Sequence, residues 1–178
     1  MTAETPCVVT LCTGNAARSV MAAFMLEHWA AQAGIALDVV SAGTHVVEGQ
    51  PMGMRTRAAL ASIPELGDLA VWEHRSKQLG PQHLARADLV VAMEADHVRF
   101  VRRRHPDFAR LCAMLRPLSV ELAPGDDPLV WRVEALGLAD VVLDSAEDVI
   151  DPAGGEIEDY VACANELWRL TEALTARL

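Results

Sequence analysis

The stretch Leu11-Cys12-Thr13-Gly14-Asn15-Ala16-Ala17-Arg18-Ser19 decides how this chain is read. Just before it, Cys7-Val8-Val9-Thr10-Leu11 is short, apolar and β-branched, which predicts a buried strand. Just after it, Met21, Met25, Leu26 and Trp29 recur at helical spacing between Ser19 and Ala33, and Gly34 supplies a helix-ending residue. The connecting loop holds Gly14 and Asn15, the residue types that best tolerate positive φ. A loop wound around a point turns successive backbone N–H groups inward and makes an anion nest. The amino end of the following helix adds unpaired donors and the positive end of its dipole. Arg18 brings a planar fork that matches two oxygens of an oxyanion. The same field favours an ionised sulfur at Cys12, and Ser19 stands where its hydroxyl can support that sulfur. Thr13, Gly14, Asn15, Ala16, Ala17, Arg18 and Ser19 thus form a candidate cup for a tetrahedral oxyanion, with Cys12 as the nucleophile at its base.

Outward from this stretch, apolar runs alternate with helix-length segments. Leu37 to Val40 predicts a second strand, followed by a turn at Ser41-Ala42-Gly43-Thr44. Arg55 to Ser62 and Gln82 to Ala87 read as helices, and Leu89 to Met93 as a third buried strand. Asp96 to Arg104 is a helix stopped before Pro106, and Cys112 to Leu115 a fourth strand. Glu156 to Leu178 is a long closing helix. Strands alternating with helices predict an α/β fold: a single-domain, three-layer structure with a four-stranded parallel sheet flanked by helices on both faces. In an open sheet of this kind ligands bind beyond the carboxyl ends of the strands, which is where the Cys12 loop falls. Residues 1–178 are expected to form one domain, with an inserted segment near 121–148. Within that segment Leu129 to Leu138 reads as an extra helix and Val141-Val142-Leu143 as a short apolar piece.

Composition narrows the function classes. Fifteen Lys and Arg against 25 Asp and Glu give a net charge of −10, which argues against a nucleic-acid-binding module. No apolar run reaches the ~20 residues needed to span a bilayer, so no membrane partner is expected. The start, Met-Thr-Ala-Glu-Thr-Pro, shows no export signal. Cys7, Cys12, Cys112 and Cys163 have no zinc-like spacing. Free thiols, no metal, no cofactor and a cytoplasmic setting are the expectation. Trp29, Trp72, Trp131 and Trp168 read as packing residues, and Arg102-Arg103-Arg104 as a solvated helix face.

These motifs, in their order, resemble the low-molecular-weight protein tyrosine phosphatases. Cys12 to Ser19 resembles that family's signature loop, Ser41-Ala42-Gly43-Thr44 its SAGT turn, and His74 to Leu79 its HxxxxL segment. Asp88 to Met93, followed by an acidic residue, resembles its D-L-I-x-A-M-D stretch, and Asp151-Pro152 its DP loop. The resemblance implies Cys12 as nucleophile, Arg18 as phosphate clamp and Asp151 as general acid. It implies that Ser19 supports the thiolate, and that Ser41 and His74 join Asn15 in a supporting hydrogen-bond network. Without it, Asp151 is only a turn-forming residue before Pro, and His74 an edge histidine. The implied reaction is hydrolysis of aryl phosphates, phosphotyrosine proteins above all, through a cysteinyl-phosphate, with inorganic phosphate or another oxyanion as further ligand.

The chain departs from the family pattern at instructive places. The bulky residue and second Cys of the loop are Ala16 and Ala17, and the aromatic after the DP pair is Ala153, so the wall beside the substrate ring is thinned. Ala17 also removes the local thiol that could trap oxidised Cys12. The connection around Leu129 to Ala139 is longer than the family's and is expected to cover the pocket. An arsenate reductase on the same fold, using an external low-molecular-weight thiol, is the alternative function, because arsenate is also a tetrahedral oxyanion.

Overall fold

The computed structural model describes residues 5–178. The reading of the chain start as lacking an export signal therefore rests mostly on residues outside the described ones. Four strands, β1 (Cys7–Cys12), β2 (Asp38–Gly43), β3 (Leu89–Ala92) and β4 (Cys112–Met114), form one parallel sheet in the order β2-β1-β3-β4. Among the described residues seven α-helices accompany them: α1 (Arg18–Ala33), α2 (Met54–Ala61), α3 (Pro81–Leu84), α4 (Ala95–Arg104), α5 (Leu115–Glu121), α6 (Leu129–Glu134) and α7 (Ile157–Thr175).

Strand alternation divides the core. Val8 and Cys12 of β1, with Leu89 and Val91 of β3, point to the face covered by α1, α2, α5 and α7. Val9 and Leu11, with Val90 and Ala92, point to the opposite face, which α3 and α4 close. Every residue of β1 is buried, as a central parallel strand requires. Trp29 of α1 and Trp168 of α7 pack ring on ring with centroids 4.3 Å apart. Because β2 lies on one side of β1 and β3 on the other, the chain leaves the carboxyl ends of β1 and β3 in diverging directions. That divergence opens the crevice in which ligands of such sheets bind, with Cys12 at the end of β1 and Glu94 just beyond the end of β3.

Several expectations need correction. Ser41, Ala42 and Gly43 continue β2, because Gly43 pairs with Cys12 in the parallel register, and the turn starts only at Thr44. Leu115 does not extend β4 but begins α5, an element hidden in the sequence by the apolar run on either side. Trp72 and Trp131 are 63% and 62% exposed, so neither is a packing residue. Arg102 is not merely solvated: its guanidinium donates to the carbonyls of Leu138 and Val141 at 2.7 and 2.8 Å and ties down the connection before Asp151. The helix in that connection is no lid. Buried Leu129 and Val133 anchor α6 to the core, and Arg132 donates to the main-chain oxygens of Arg177 and Leu178 at 2.7 and 2.6 Å. Residues 125–129 share a cavity wall with Cys7, Asp38 and Asp88, at the amino ends of the strands. A strand the length of β1 separates that end from Cys12 by about 17 Å.

Candidate active site

The loop from Cys12 to Arg18 is held open by its neighbours. Asn15 takes a φ of 50°, the one left-handed non-glycine residue among the described residues. Its short polar side chain makes that conformation tolerable by bonding locally. Asn15 Nδ2 donates to Ser19 Oγ at 3.0 Å, and Asn15 Oδ1 accepts from the Lys77 N–H at 2.9 Å. The Asn15 carbonyl accepts from Ser76 Oγ at 3.0 Å and lies 2.9 Å from His74 Nε2. Of the two supporting residues expected from sequence, His74 is therefore in the network. Ser41 is buried at the end of β2 but bonds to Asn15 nowhere in it; Ser76 and the Lys77 backbone occupy that role. Burial pushes the His74 pKa down from its ordinary value, with the Asn15 carbonyl working against it and Lys77 and Arg75 adding slightly.

Gly43 explains the small residue at the end of β2. A Cβ there would stand 2.5 Å from the Thr13 carbonyl oxygen and 2.8 Å from the Asn15 nitrogen. The closeness is used: Thr44 and His45 donate their N–H groups to the carbonyls of Cys12 and Thr13, both at 2.9 Å. With the loop's carbonyls turned outward into these bonds, its N–H groups are left inside. Among the described residues no protein acceptor pairs with the N–H of Thr13, Gly14, Asn15, Ala16 or Ala17.

Cys12 is buried at the base, and its Sγ lies 2.9 Å from Ser19 Oγ. Ser19 in turn receives the Asn15 amide, so its hydroxyl proton is free to go to sulfur. Arg18 is almost wholly buried. Its Nη1 donates to the Val149 carbonyl at 2.9 Å and contacts Glu94 Oε1; its Nη2 lies 3.0 Å from Asp151 Oδ2. Its Nε is buried without a partner among the described residues.

Asp151 comes from 133 residues downstream of Arg18 in the chain, and three hydrogen bonds dock its loop. Val149 N–H donates to the Met93 carbonyl at 2.8 Å, Ala95 N–H donates to Asp148 Oδ1 at 2.7 Å, and Arg18 takes the Val149 carbonyl. Asp151 itself stays partly exposed and accepts from the Ala153 N–H at 3.1 Å. Ala16 and Ala153 are both exposed.

Glu94 and His97 were not found by sequence reasoning. Glu94 had a signal, as the acidic residue after the third strand; His97 had none. Cys163 of α7, whose position sequence left open, packs in the same apolar cluster as Cys12. Its thiol is pushed up to about 12, chiefly by burial, with nearby Arg18 opposing and Glu166, Asp151 and Cys12 adding.

A strand that delivers a thiol into a loop of inward N–H groups, closed by a buried arginine, defines a cysteine-dependent phosphatase. The model of the low molecular weight phosphotyrosine protein phosphatases matches residues 7–119, and the chain belongs to that family. A protein-arginine-phosphatase of Geobacillus stearothermophilus is 29% identical over 96% of this chain and 95% of its own. A low molecular weight protein-tyrosine-phosphatase of Streptomyces coelicolor is 35% identical over 67% of this chain and 73% of its own. The crystal structure of a low molecular weight protein tyrosine phosphatase from T. tengcongensis superposes with a TM-score of 0.78 at 26% identity, over 98% of this chain and all of that one.

Proposed function

We propose that this phosphatase works through a cysteinyl-phosphate on Cys12 and hydrolyses aryl phosphates, phosphotyrosine proteins above all. Cys12 Sγ attacks phosphorus while the loop N–H groups and Arg18 hold the equatorial oxygens. Asp151 gives its proton to the departing phenolate, and the S–P bond forms as the P–O bond breaks. Asp151, now a carboxylate, takes a proton from water as the water oxygen attacks phosphorus, and the Cys12 thiolate leaves. The supporting observation is the pairing of Cys12 Sγ with Ser19 Oγ at 2.9 Å beneath a buried Arg18 whose Nε has no partner among the described residues. A phenol, with a pKa of about 10, leaves without metal assistance. A reducing, cytoplasmic setting fits a mechanism that needs a free thiol; Cys12 is free. Among the described residues no helix is long and apolar enough to cross a membrane.

A second substrate reading, phosphoarginine, is favoured by the mouth. Ala16 and Ala153 offer no ring to sandwich a phenyl group, whereas Glu94 and Asp151 place two carboxylates beside the cup, where a guanidinium leaving group would sit. A relative matching nearly the whole chain carries that activity in its name. The deciding experiment compares kcat/KM on matched peptides carrying phosphotyrosine or phosphoarginine, for wild type, Cys12→Ser and Asp151→Asn, with thiol-coupled arsenate turnover as a further arm. Cys12→Ser should lose turnover and still bind phosphate. Turnover that survives Cys12→Ser would end the covalent mechanism, and arsenate reduction in place of phosphate release would replace the function.

A further inference from the structure

His97 lies in the first turn of α4 and is 2% exposed. Its Nδ1 accepts the Glu94 backbone N–H at 3.1 Å, so Nδ1 carries no proton. The ring is neutral as well: burial, with the Arg18 charge nearby, lowers its pKa from 6.5 to about 3. Of the other groups around it, His45 works in the same direction and Asp96 opposes. A neutral ring with an occupied Nδ1 lone pair must hold its proton on Nε2. That nitrogen lies 3.0 Å from Thr13 Oγ1 and 3.7 Å from Glu94 Oε2. His97 therefore donates, and the Thr13 hydroxyl accepts. Thr13 is the first residue of the loop, next to Cys12, and is itself exposed at the mouth.

We propose that His97 is a positioning residue whose Nε2–H holds the Thr13 hydroxyl as an acceptor, so that the hydroxyl's own proton is turned to the oxyanion seated over Cys12. The loop then offers one side-chain donor in addition to its backbone N–H groups. Through its other nitrogen His97 also fixes the backbone of Glu94, whose carboxylate holds Arg18, so one buried ring sets both sides of the cup. This inference rests on the phosphatase reading for its catalytic consequence, but its structural content concerns phosphate affinity alone.

The test uses inorganic phosphate as the probe. His97→Asn keeps an acceptor for the Glu94 N–H and loses the donor to Thr13; Thr13→Val loses the hydroxyl; Thr13→Ser keeps it. Phosphate should bind about tenfold more weakly to His97→Asn and to Thr13→Val, as loss of one hydrogen bond to a charged group implies. The double variant should be no worse than either single one, because the two residues act as one unit. Thr13→Ser should bind within about threefold of wild type. Nitrogen-15 NMR of the histidines should show His97 neutral and protonated on Nε2 from pH 5 to 8. Losses that add in the double variant, unchanged phosphate binding by Thr13→Val, or a proton on Nδ1 would each overturn the proposal. A wild type that binds phosphate and hydrolyses no phosphate substrate would refute the phosphatase mechanism and leave these readouts to decide the role of His97.

Discussion

Replacing Asn15 separates two things the loop needs from one residue. The first is the left-handed turn at φ 50°. For an L-residue with an ordinary Cβ that conformation costs about 1–2 kcal/mol. The second is a pair of buried bonds, to Ser19 Oγ at 3.0 Å and from Lys77 N–H at 2.9 Å. Losing the Lys77 acceptor strands a backbone donor, at about 1–3 kcal/mol, and losing the bond to Ser19 adds about 1 kcal/mol. Asn15→Ala incurs all three costs, so about 4 kcal/mol of destabilisation is expected, a large share of the ~5–15 kcal/mol typical of a domain. Asn15→Gly loses the same bonds but avoids the turn penalty. It gives back about 0.4–1 kcal/mol through the freer unfolded chain. The glycine variant should thus be the more stable of the two by about 0.5–1 kcal/mol. Urea unfolding of wild type and both variants measures this as a change in midpoint at constant m. Turnover of para-nitrophenyl phosphate should fall in both variants, because Ser19 loses the partner that turns its hydroxyl to Cys12. A glycine variant no more stable than the alanine one would show that the turn does not select Asn15. If both stayed within about 1 kcal/mol of wild type, the buried network would not be what holds the loop.

Asp151→Asn should lower kcat on para-nitrophenyl phosphate by about 10²–10⁴-fold with KM little changed, as loss of a general acid predicts; steady-state kinetics checks it. Acid should destabilise the fold through His97. Its folded pKa of about 3 lies below the unfolded 6.5, so the unfolded chain binds the extra proton, and this stability is lost as pH falls from 6.5 toward 3. Between pH 7 and 5 the loss should be about 2 kcal/mol, and His97→Asn should flatten that part of the urea-midpoint profile. An unchanged profile in the variant would refute the assignment. Mild peroxide should inactivate the enzyme with poor recovery in dithiothreitol, since Ala17 offers no thiol and the Cys163 thiol, pushed up to about 12, is almost wholly protonated at neutral pH. Full recovery would point to a trapping disulfide.

The sequence by itself determined the strand–loop–helix unit from Cys7 to Ala33 and the parallel sheet, because these rest on local rules. Alternation, helical spacing and the tolerance of Asn15 for positive φ all act within a few residues. Gly43 belongs half to this group: its motif was legible, and the reason, a carbonyl 2.5 Å from where a side chain would begin, was not. The tertiary structure alone decided which groups meet the cup. Asp151 reaches Arg18 through a backbone bond from Val149 to the Met93 carbonyl and a bond from the Ala95 N–H to the Asp148 carboxylate, and both join segments more than 50 residues apart, which local sequence rules do not register. Ser76 and Lys77 replace Ser41 beside Asn15 because the backbone path after β2, not the residue type, sets who stands within 3 Å. The placement of α6 at the far end of the sheet follows the same physics. Buried Leu129 and Val133, with Arg132 bound to the main-chain oxygens of Arg177 and Leu178, settle a position that length and proximity to Asp151 in sequence had suggested elsewhere.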